Sequence, residues 1–358
     1  MALNLSGAIS LGGTTAGQSV NLELGQAAGA TITMNDTNLR SLFGVGSGQI
    51  SLSQGYGTSS YSTNPTKVLW GSAVNTGNII SGMAFPTETA ITSAATLVQP
   101  RGMAGGTHTS VKGYFFGGRI PGTGPLGYSR VGQVDGLVFS TDTAIDPAGA
   151  VGAADGVSTI TSANNGYGNQ SSIKYNFATE TAGTYVMPYA QVRNWTANSQ
   201  NQTKGYRLGG INTFNGAPNF VAEIDGLLFA NDTLINPAAG IVQIRGRGTG
   251  HNSPTAGYAC GGEGWSYNTY YGQIDGMVFA TETTIDPASN MVQARTSSNW
   301  GSNSSTRGYC HGGTSGIGVA GAALQIDGII YATNTVTDPA VGISGSLVGH
   351  SLVQNSNN

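Results

Sequence analysis

The 17 acidic residues are the most obvious source of chemistry in this chain. Two carboxylates at a defined separation on one site would serve glycoside hydrolysis. Most of the acids, however, sit at equivalent positions of a recurring segment: Glu88, Asp135, Asp142, Asp146, Glu180, Asp225, Asp232, Asp275, Glu282, Asp286, Asp327 and Asp338. Carboxylates placed by repetition are expected to accept hydrogen bonds in turns, not to form an acid–base pair. The remaining acids, such as Asp155, Glu223 and Glu263, show no pairing in the sequence. The histidines, His108, His251, His311 and His350, make no His-x-x-x-His pattern, and no Cys-x-x-Cys accompanies them. Cys260 and Cys310 lie one position apart in the equivalent stretches GYACGG and GYCHGG. Neighbouring strand positions face opposite sides, so the expectation is two free thiols on different faces, acting as small hydrophobes. His311 is expected to fill the slot that Phe116 and Leu208 fill elsewhere. No catalytic residue, metal site or cofactor is expected.

Aromatic residues on loops suggest a different chemistry. GEGWSYNTYYG (262–272) carries Trp265, Tyr267, Tyr270 and Tyr271; RIPGTGPLGYSR (119–130) carries Arg119, Tyr128 and Arg130; INTFNGAPNF (211–220) carries Phe214 and Phe220. A flat ring packs on the apolar face of a sugar, while amides and guanidinium groups bond its hydroxyls. Loops on a rigid scaffold are where such residues act. Trp265, Tyr267, Tyr270, Tyr271, Arg119, Tyr128, Arg130 and Phe214 are therefore the expected ligand-binding set. The competing use of the same rings is to pack loops together or to meet a neighbouring subunit.

The elements that position these loops follow from a repeat. IDGMVFATETTIDPA (274–288) has close copies at 134–148, 224–238 and 326–340, a looser one at 80–94 and a shortened one at 173–186. Phe85, Phe139, Phe177, Phe229, Phe279 and Tyr331 mark the register, with a period of about fifty residues. Before the motif stands a short strand ending in a glycine pair, as in GYFFGG (113–118), GYRLGG (205–210), GYACGG (257–262) and GYCHGG (308–313); KVLWGS (67–72) takes that place in the first unit. After it comes a segment such as LVQPR (97–101), AQVR (190–193), IVQIR (241–245) or MVQAR (291–295). Three or four short strands per unit, in six units, predict an all-β fold, a six-bladed β-propeller. The glycine pair permits a left-handed turn out of its strand. Asp-Gly is expected in a tight turn or bulge, the aromatic between neighbouring blades, and Asp-Pro where the ladder stops. Residues 341–354 are expected to complete the first blade and so remove an exposed sheet edge.

Composition sets the remaining bounds. Glycine is abundant at 57 residues and charged residues make up only 9%, against roughly 25% in ordinary domains. The net charge of −3, without any basic run, argues against nucleic acid as the partner. MALNLSGAISLGG (1–13) lacks the charged and apolar regions of a signal peptide, and no stretch approaches the ~20 apolar residues of a membrane helix. No membrane insertion is expected. Residues 1–57 carry no copy of the repeat. There Val20, Leu22 and Leu24 alternate as in a short strand, and Asn35 or Asp36 can cap a short helix with Leu39, Leu42 and Phe43 on one face.

Two resemblances add to this reading. Tyr114-Phe115-Phe116-Gly117-Gly118, followed by Phe139 and Thr143, is similar to the kelch repeat; Ile91, Ile145, Ile235, Ile285 and Val336 stand near the place of the kelch tryptophan, so the unit is kelch-like. Some kelch enzymes bind copper through Tyr, Cys and His, and Tyr258, Cys260 and His311 supply those types without their arrangement. Residues 30–57 resemble the N-terminal region of bacteriophage tail and fibre-like proteins through Ile32, Asn35, Asp36, Leu39, Arg40, Leu42, Ser47, Gly48, Ile50, Ser51, Tyr56 and Gly57. That resemblance implies a virion-attachment module over residues 1–57, carrying a kelch-like propeller over residues 58–358. It implies a tail fibre or tail-tip adhesin, without enzymatic activity, made in the host cytoplasm and located in the virion tail. Its implied partners are other virion tail proteins through residues 1–57, a host surface glycan or protein, and copies of itself, with a trimer as the state common among fibre proteins. The alternatives are a purely structural adaptor or decoration protein and, further off, a polysaccharide-degrading enzyme.

Overall fold

The computed structural model describes residues 10–15, 18–23, 29–33, 39–40, 49, 51–52, 65–71, 78–85, 87–121, 128–147, 149–154, 157–168, 173–184, 193–212, 219–265, 269–287, 289–296, 301–314, 325–339 and 351–355. The chain divides into two compact units, Met1–Ser62 and Thr63–Asn358. In the first, a one-turn helix spans Val20–Glu23, where alternation had pointed to a strand. Alternation over so few residues is weaker than the tertiary context: the N–H groups of Val20 and Asn21 bond the carbonyls of Ser10 and Leu11, and Val20 is buried. Leu39 and Arg40 are helical and Leu39 is buried, as its position on an apolar helix face requires. Leu24, Asn35, Asp36, Leu42 and Phe43 lie outside the described residues.

The second unit is all-β and built from small antiparallel sheets, six of them four-stranded. Sheet one orders Ser351–Gln354, Lys67–Gly71, Ile79–Ala84 and Thr89–Thr96. Sheet two is Gly105–His108, Lys112–Phe116, Val134–Val138 and Thr143–Ile145. Sheet three is Thr159–Thr161, Asn165–Gly168, Ile173–Asn176 and Thr181–Thr184; sheet four is Ala197–Gln200, Lys204–Leu208, Ile224–Leu228 and Thr233–Ile235. Sheet five is Thr249–Asn252, Ala256–Cys260, Ile274–Val278 and Thr283–Ile285; sheet six is Gly301–Asn303, Arg307–His311, Ile326–Ile330 and Thr335–Thr337. The strand expected near the chain's end exists: Leu352 and Val353 pair in register with Trp70 and Leu69, about 280 residues earlier in the chain. First strands touch first strands in chain order, and that of sheet six touches that of sheet one.

The recurring aromatic does what its position predicted. Phe85 stacks on Tyr309, Phe177 on Tyr114, Phe229 on Tyr167, Phe279 on Tyr206 and Tyr331 on Tyr258, each time across two sheets. Phe139 meets Leu69 in the same role. Ile91, Ile145, Ile235, Ile285 and Val336 pack their fourth strands onto these cores. The glycine pairs leave the second strands with positive φ, about 60° and 104° at Gly117 and Gly118 and alike in sheets four, five and six. A side chain at Gly261 would also strike the Arg295 carbonyl at 2.7 Å.

Nine of the repeated acids divide into two devices, and only one of these sits in turns; Asp146, Asp286 and Asp338 instead accept from the side chains of Gln133, Gln273 and Gln325 at 3.0, 3.0 and 3.1 Å. Glu88, Asp142, Glu180, Asp232, Glu282 and Asn334 occupy the turn before the fourth strand with φ near 50°. From there each reaches back to the second strand of the preceding sheet, or in sheet three to its second and third. Lys112 and Tyr114 donate to Glu180 at 2.7 and 2.9 Å, Lys204 and Tyr206 to Glu282 at 2.6 and 3.0 Å. Lys67 holds Asp142, Tyr167 and Lys174 hold Asp232, Tyr258 holds Asn334, and Arg307 and Tyr309 of sheet six hold Glu88 of sheet one.

The Asp of Asp-Gly corrects the expectation of a turn. Asp135, Asp225, Asp275 and Asp327 lie inside the third strands and pair with buried arginines, Arg101, Arg193 with Arg207, Arg245 and Arg295. The following glycine is needed for close approach: a Cβ at Gly136 would meet Ile145 at 2.5 Å. Arg101, Arg245 and Arg295 also cap carbonyls of the second strand, as Arg245 does for Ala259 at 2.7 Å. Burial pushes Asp135, Asp275 and Asp327 above the usual carboxylate range against their arginines. At Asp225 burial also raises, but two guanidinium groups outweigh it.

The two devices should respond differently to mutation and pH. Removing Asp275 leaves Arg245 buried without its counter-charge, so Asp275→Ala is expected to cost about 3–5 kcal/mol in urea unfolding. The tie at Glu282 is partly exposed, so Glu282→Gln should cost no more than about 1 kcal/mol at neutral pH. Burial raises Glu282, yet the bonds from Lys204 and Tyr206 hold it below its usual range; the bond from Lys112 does the same for Glu180. A depressed folded pKa stabilises above the unfolded value of about 4.3 and stops doing so as pH falls through the folded one. The gap between wild type and Glu282→Gln should therefore close on acidification.

Candidate functional site

Antiparallel connectivity places the loops at two opposite ends of the sheets. The glycine-pair inserts join second to third strands at one end. The tight hairpins joining first to second strands lie at the other, together with the inter-sheet ties.

The insert end holds the loops expected to bind ligand, and the structure does not unite them. Arg119–Pro121 and Tyr128–Arg130 form a two-stranded ladder in which Arg119 pairs with Arg130. The Arg119 guanidinium lies 4.6 Å from the Tyr128 ring centre, an exposed cation–π contact. This loop belongs to sheet two, whereas Trp265, Tyr270 and Tyr271 belong to sheet five, with sheets three and four between them in chain order. Trp265 is 64% exposed and tilts against Phe220 of the sheet four insert at 6.3 Å. Tyr267 and Phe214 lie outside the described residues. The base of the sheet five insert is pinned by Glu263, whose backbone bridges Gly246 and Tyr270. Its buried carboxylate lies 3.1 Å from Arg247, and Arg247 in turn lies over Trp195. Burial raises the Glu263 carboxyl and Arg247 opposes it. Asp155, the other unrepeated acid, lies outside the described residues.

The hairpin end carries a site that the sequence reading missed. A groove of about 360 Å³ runs over the hairpins of sheets four, five and six. Apart from Pro254, its walls are uncharged polar residues, among them Gln200, Asn201, Gln202, Asn252, Asn303 and Ser305. The hairpins are stiff because side-chain oxygens replace backbone turns. Asn201 accepts from the N–H groups of Thr203 and Lys204 at 2.9 and 2.8 Å, and Ser253 and Ser304 do the same for their hairpins.

Gln200, Asn252 and Asn303 also line a smaller cavity of about 40 Å³ bounded by the first strands of all six sheets. The last residue of each first strand reaches it: His108, Thr161, Gln200, Asn252, Asn303 and Gln354. The Thr161 N–H donates to the Gln200 amide oxygen at 2.6 Å and the Asn303 N–H to that of Gln354 at 3.0 Å, so these amides are held across sheet boundaries. Burial pushes His108 down to about 3, so this set is neutral at physiological pH. A signal was present in the sequence: in sheets two to six these residues precede the Tyr of Gly-Tyr at a constant offset. Dense, preorganised, neutral donors and acceptors suit a polyhydroxylated neutral ligand and offer no charge to a phosphate or carboxylate.

Chemistry proposed for Tyr258, Cys260 and His311 together is not supported by their placement. His311 pairs with Ile326 as Phe116 pairs with Val134 and Leu208 with Ile224, so it fills their slot as expected. It stands against Trp70 of sheet one, while Tyr258 stacks on Tyr331 of sheet six. The two cysteines are free thiols on opposite faces of their own sheets, but those faces belong to adjacent sheets and look at each other. Cys260 and Cys310 share one core and, with His251, place their donor atoms within 4.8 Å of one another.

No protein-family model matches the chain and no curated protein matches it by sequence. Solved structures do: a structure of YjhT superposes with a TM-score of 0.60 over 77% of this chain and 97% of that one, at 12% identity. Similarity at that identity speaks to fold alone, and it is shared by 237 solved chains, so it marks an architecture rather than an activity.

The Glu263 pair at the insert end gives a test of that loop. A carboxyl raised by burial loses stability as pH rises through its folded pKa. Arg247→Ala is therefore expected to make the melting temperature fall more steeply between weakly acidic and neutral pH, and adding Glu263→Gln should flatten the profile again.

Proposed function

We propose that the six sheets close into a six-bladed kelch-like propeller whose hairpin face binds a neutral glycan. The observation that carries this reading is the groove over Gln200–Thr203, Asn252–Pro254 and Asn303–Ser305, continuous in composition with the neutral residues at the ends of the first strands. Supporting the closure are the six successive inter-sheet ties, with Arg307 and Tyr309 reaching Glu88, and the strand Ser351–Gln354 in sheet one. With most of its repeated carboxylates engaged in ties and buried pairs, the scaffold holds shape and the groove holds ligand. In this reading the protein is an adhesin and not an enzyme. The resemblance of residues 30–57 to phage tail and fibre-like proteins then assigns it to a virion, with residues 1–57 docking on other tail proteins and the propeller turned to the host surface.

One observation favours a second reading. Trp265 is large, apolar and exposed at the insert end, and an exposed aromatic there suits a protein partner, as in a structural adaptor. The two readings predict different variants. On an array of bacterial surface glycans, Asn252→Ala/Asn303→Ala should lower binding at least tenfold while Trp265→Ala leaves it unchanged. Binding lost with Trp265→Ala alone would move the site to the insert end, and no binding by the wild type to any glycan would favour the adaptor.

A further inference from the structure

The two cysteines and His251 meet in a place where nothing in the scaffold requires them. Sheet five contributes His251 from its first strand and Cys260 from its second; sheet six contributes Cys310 from its second. All three are buried at 2% exposure or less. The His251 Nε2 lies 3.2 Å from the Cys260 sulfur, and the donor atoms of all three fall within 4.8 Å. The imidazole is oriented from its other side, where the Tyr331 hydroxyl lies 3.3 Å from Nδ1 and donates to the Asn252 carbonyl at 2.7 Å. A hydrogen-bonding partner on the ring's other nitrogen is what fixes the orientation of a metal-binding histidine.

Register shows how unusual the set is. The position of Cys260 is held by Phe116, Leu208 and His311 in sheets two, four and six, and that of Cys310 by Phe115, Arg207 and Ala259 in sheets two, four and five. Apolar packing alone is satisfied there by residues without sulfur.

We propose that His251, Cys260 and Cys310 form a three-coordinate site for a thiophilic d10 cation, Cu(I) in preference to Zn(II). Two sulfurs and an imidazole are soft-to-borderline donors of the kind that select these ions. Three donors suit Cu(I), whereas structural zinc takes four. On binding, two S–H bonds give way to two S–Cu bonds, two protons leave to solvent, and the metal keeps its oxidation state. The ion would stitch sheet five to sheet six, the one interface whose tie, Tyr258 to Asn334, contains no charge.

The site is enclosed, so the full chain should be refolded anaerobically from denaturant with Cu(I) and a competing chelator, and separately with Zn(II). The expected result is one Cu(I) per chain, a sulfur-to-copper charge-transfer band, a melting temperature raised by several degrees, and both thiols shielded from alkylation. Cys310→Ala, which copies Ala259 of sheet five, should fold to the same circular dichroism and bind at least a hundredfold more weakly; His251→Asn should weaken binding with both thiols kept. The proposal is overturned if the refolded wild type takes up no copper. It is also overturned if Cys310→Ala takes up as much, if Zn(II) displaces Cu(I), or if the two thiols oxidise to a disulfide in preference to holding the ion.

Discussion

Each four-stranded sheet of the second unit has two faces to bury, and among the described residues of that unit no helix covers either. In a two-layer domain a helix or a second sheet would do this; here each sheet can only cover its neighbour. Leu69, Phe115 and Val353 face one another across sheets one and two, and Tyr114, Phe116 and Tyr175 across sheets two and three. Stability is therefore distributed over interfaces, and a missing first or last partner would expose an apolar face as well as a strand edge. The strand Ser351–Gln354 meets that constraint by completing sheet one, and Leu352 joins a core that already contains Trp70 and Tyr309.

The charged residues fit into the same arrangement. A chain with so few of them places most where they fix geometry. One set, in left-handed turns, reaches back to the preceding sheet and sets the angle between neighbours. The other, buried arginine against strand aspartate, holds the connection between sheets to the sheet it enters. The ties are partly solvated and individually weak; the buried pairs are costly to break rather than strongly stabilising in themselves. Carboxylates committed in this way leave the groove at the hairpin end neutral, and that neutrality gives the proposed ligand its character.

Much of this was legible in the sequence because repetition multiplies weak local signals. A single Phe in a Thr-rich segment says little, yet Phe85 to Tyr331 at a regular period implied a shared interface, and the structure stacks nearly all of them on a preceding ring. The glycine pairs were readable because positive φ at consecutive positions leaves few other residues. Partnership across space was harder to see. Arg245 and Asp275 recur at a fixed separation, but nothing in the sequence says that both are buried or that they meet. Cys260 and Cys310 were correctly placed on opposite faces, and the missing step was that opposite faces of adjacent sheets are the ones in contact. The groove escaped notice because its residues look like turn formers, which they also are. Val20–Glu23 shows the opposite limit: without repetition, three alternating apolar residues did not distinguish a strand from a helical turn.

How far the six sheets depend on the strand Ser351–Gln354 can be measured directly by native-state hydrogen exchange. The amides pairing Lys67–Gly71 with Ser351–Gln354 should exchange as slowly as those pairing first and second strands in sheets two to six, through the same global opening. Exchange there at the rate of a frayed terminus, with the other five sheets still protected, would contradict the account, because sheet one would then be held by its own hairpins and Ser351–Gln354 would carry no part of the fold.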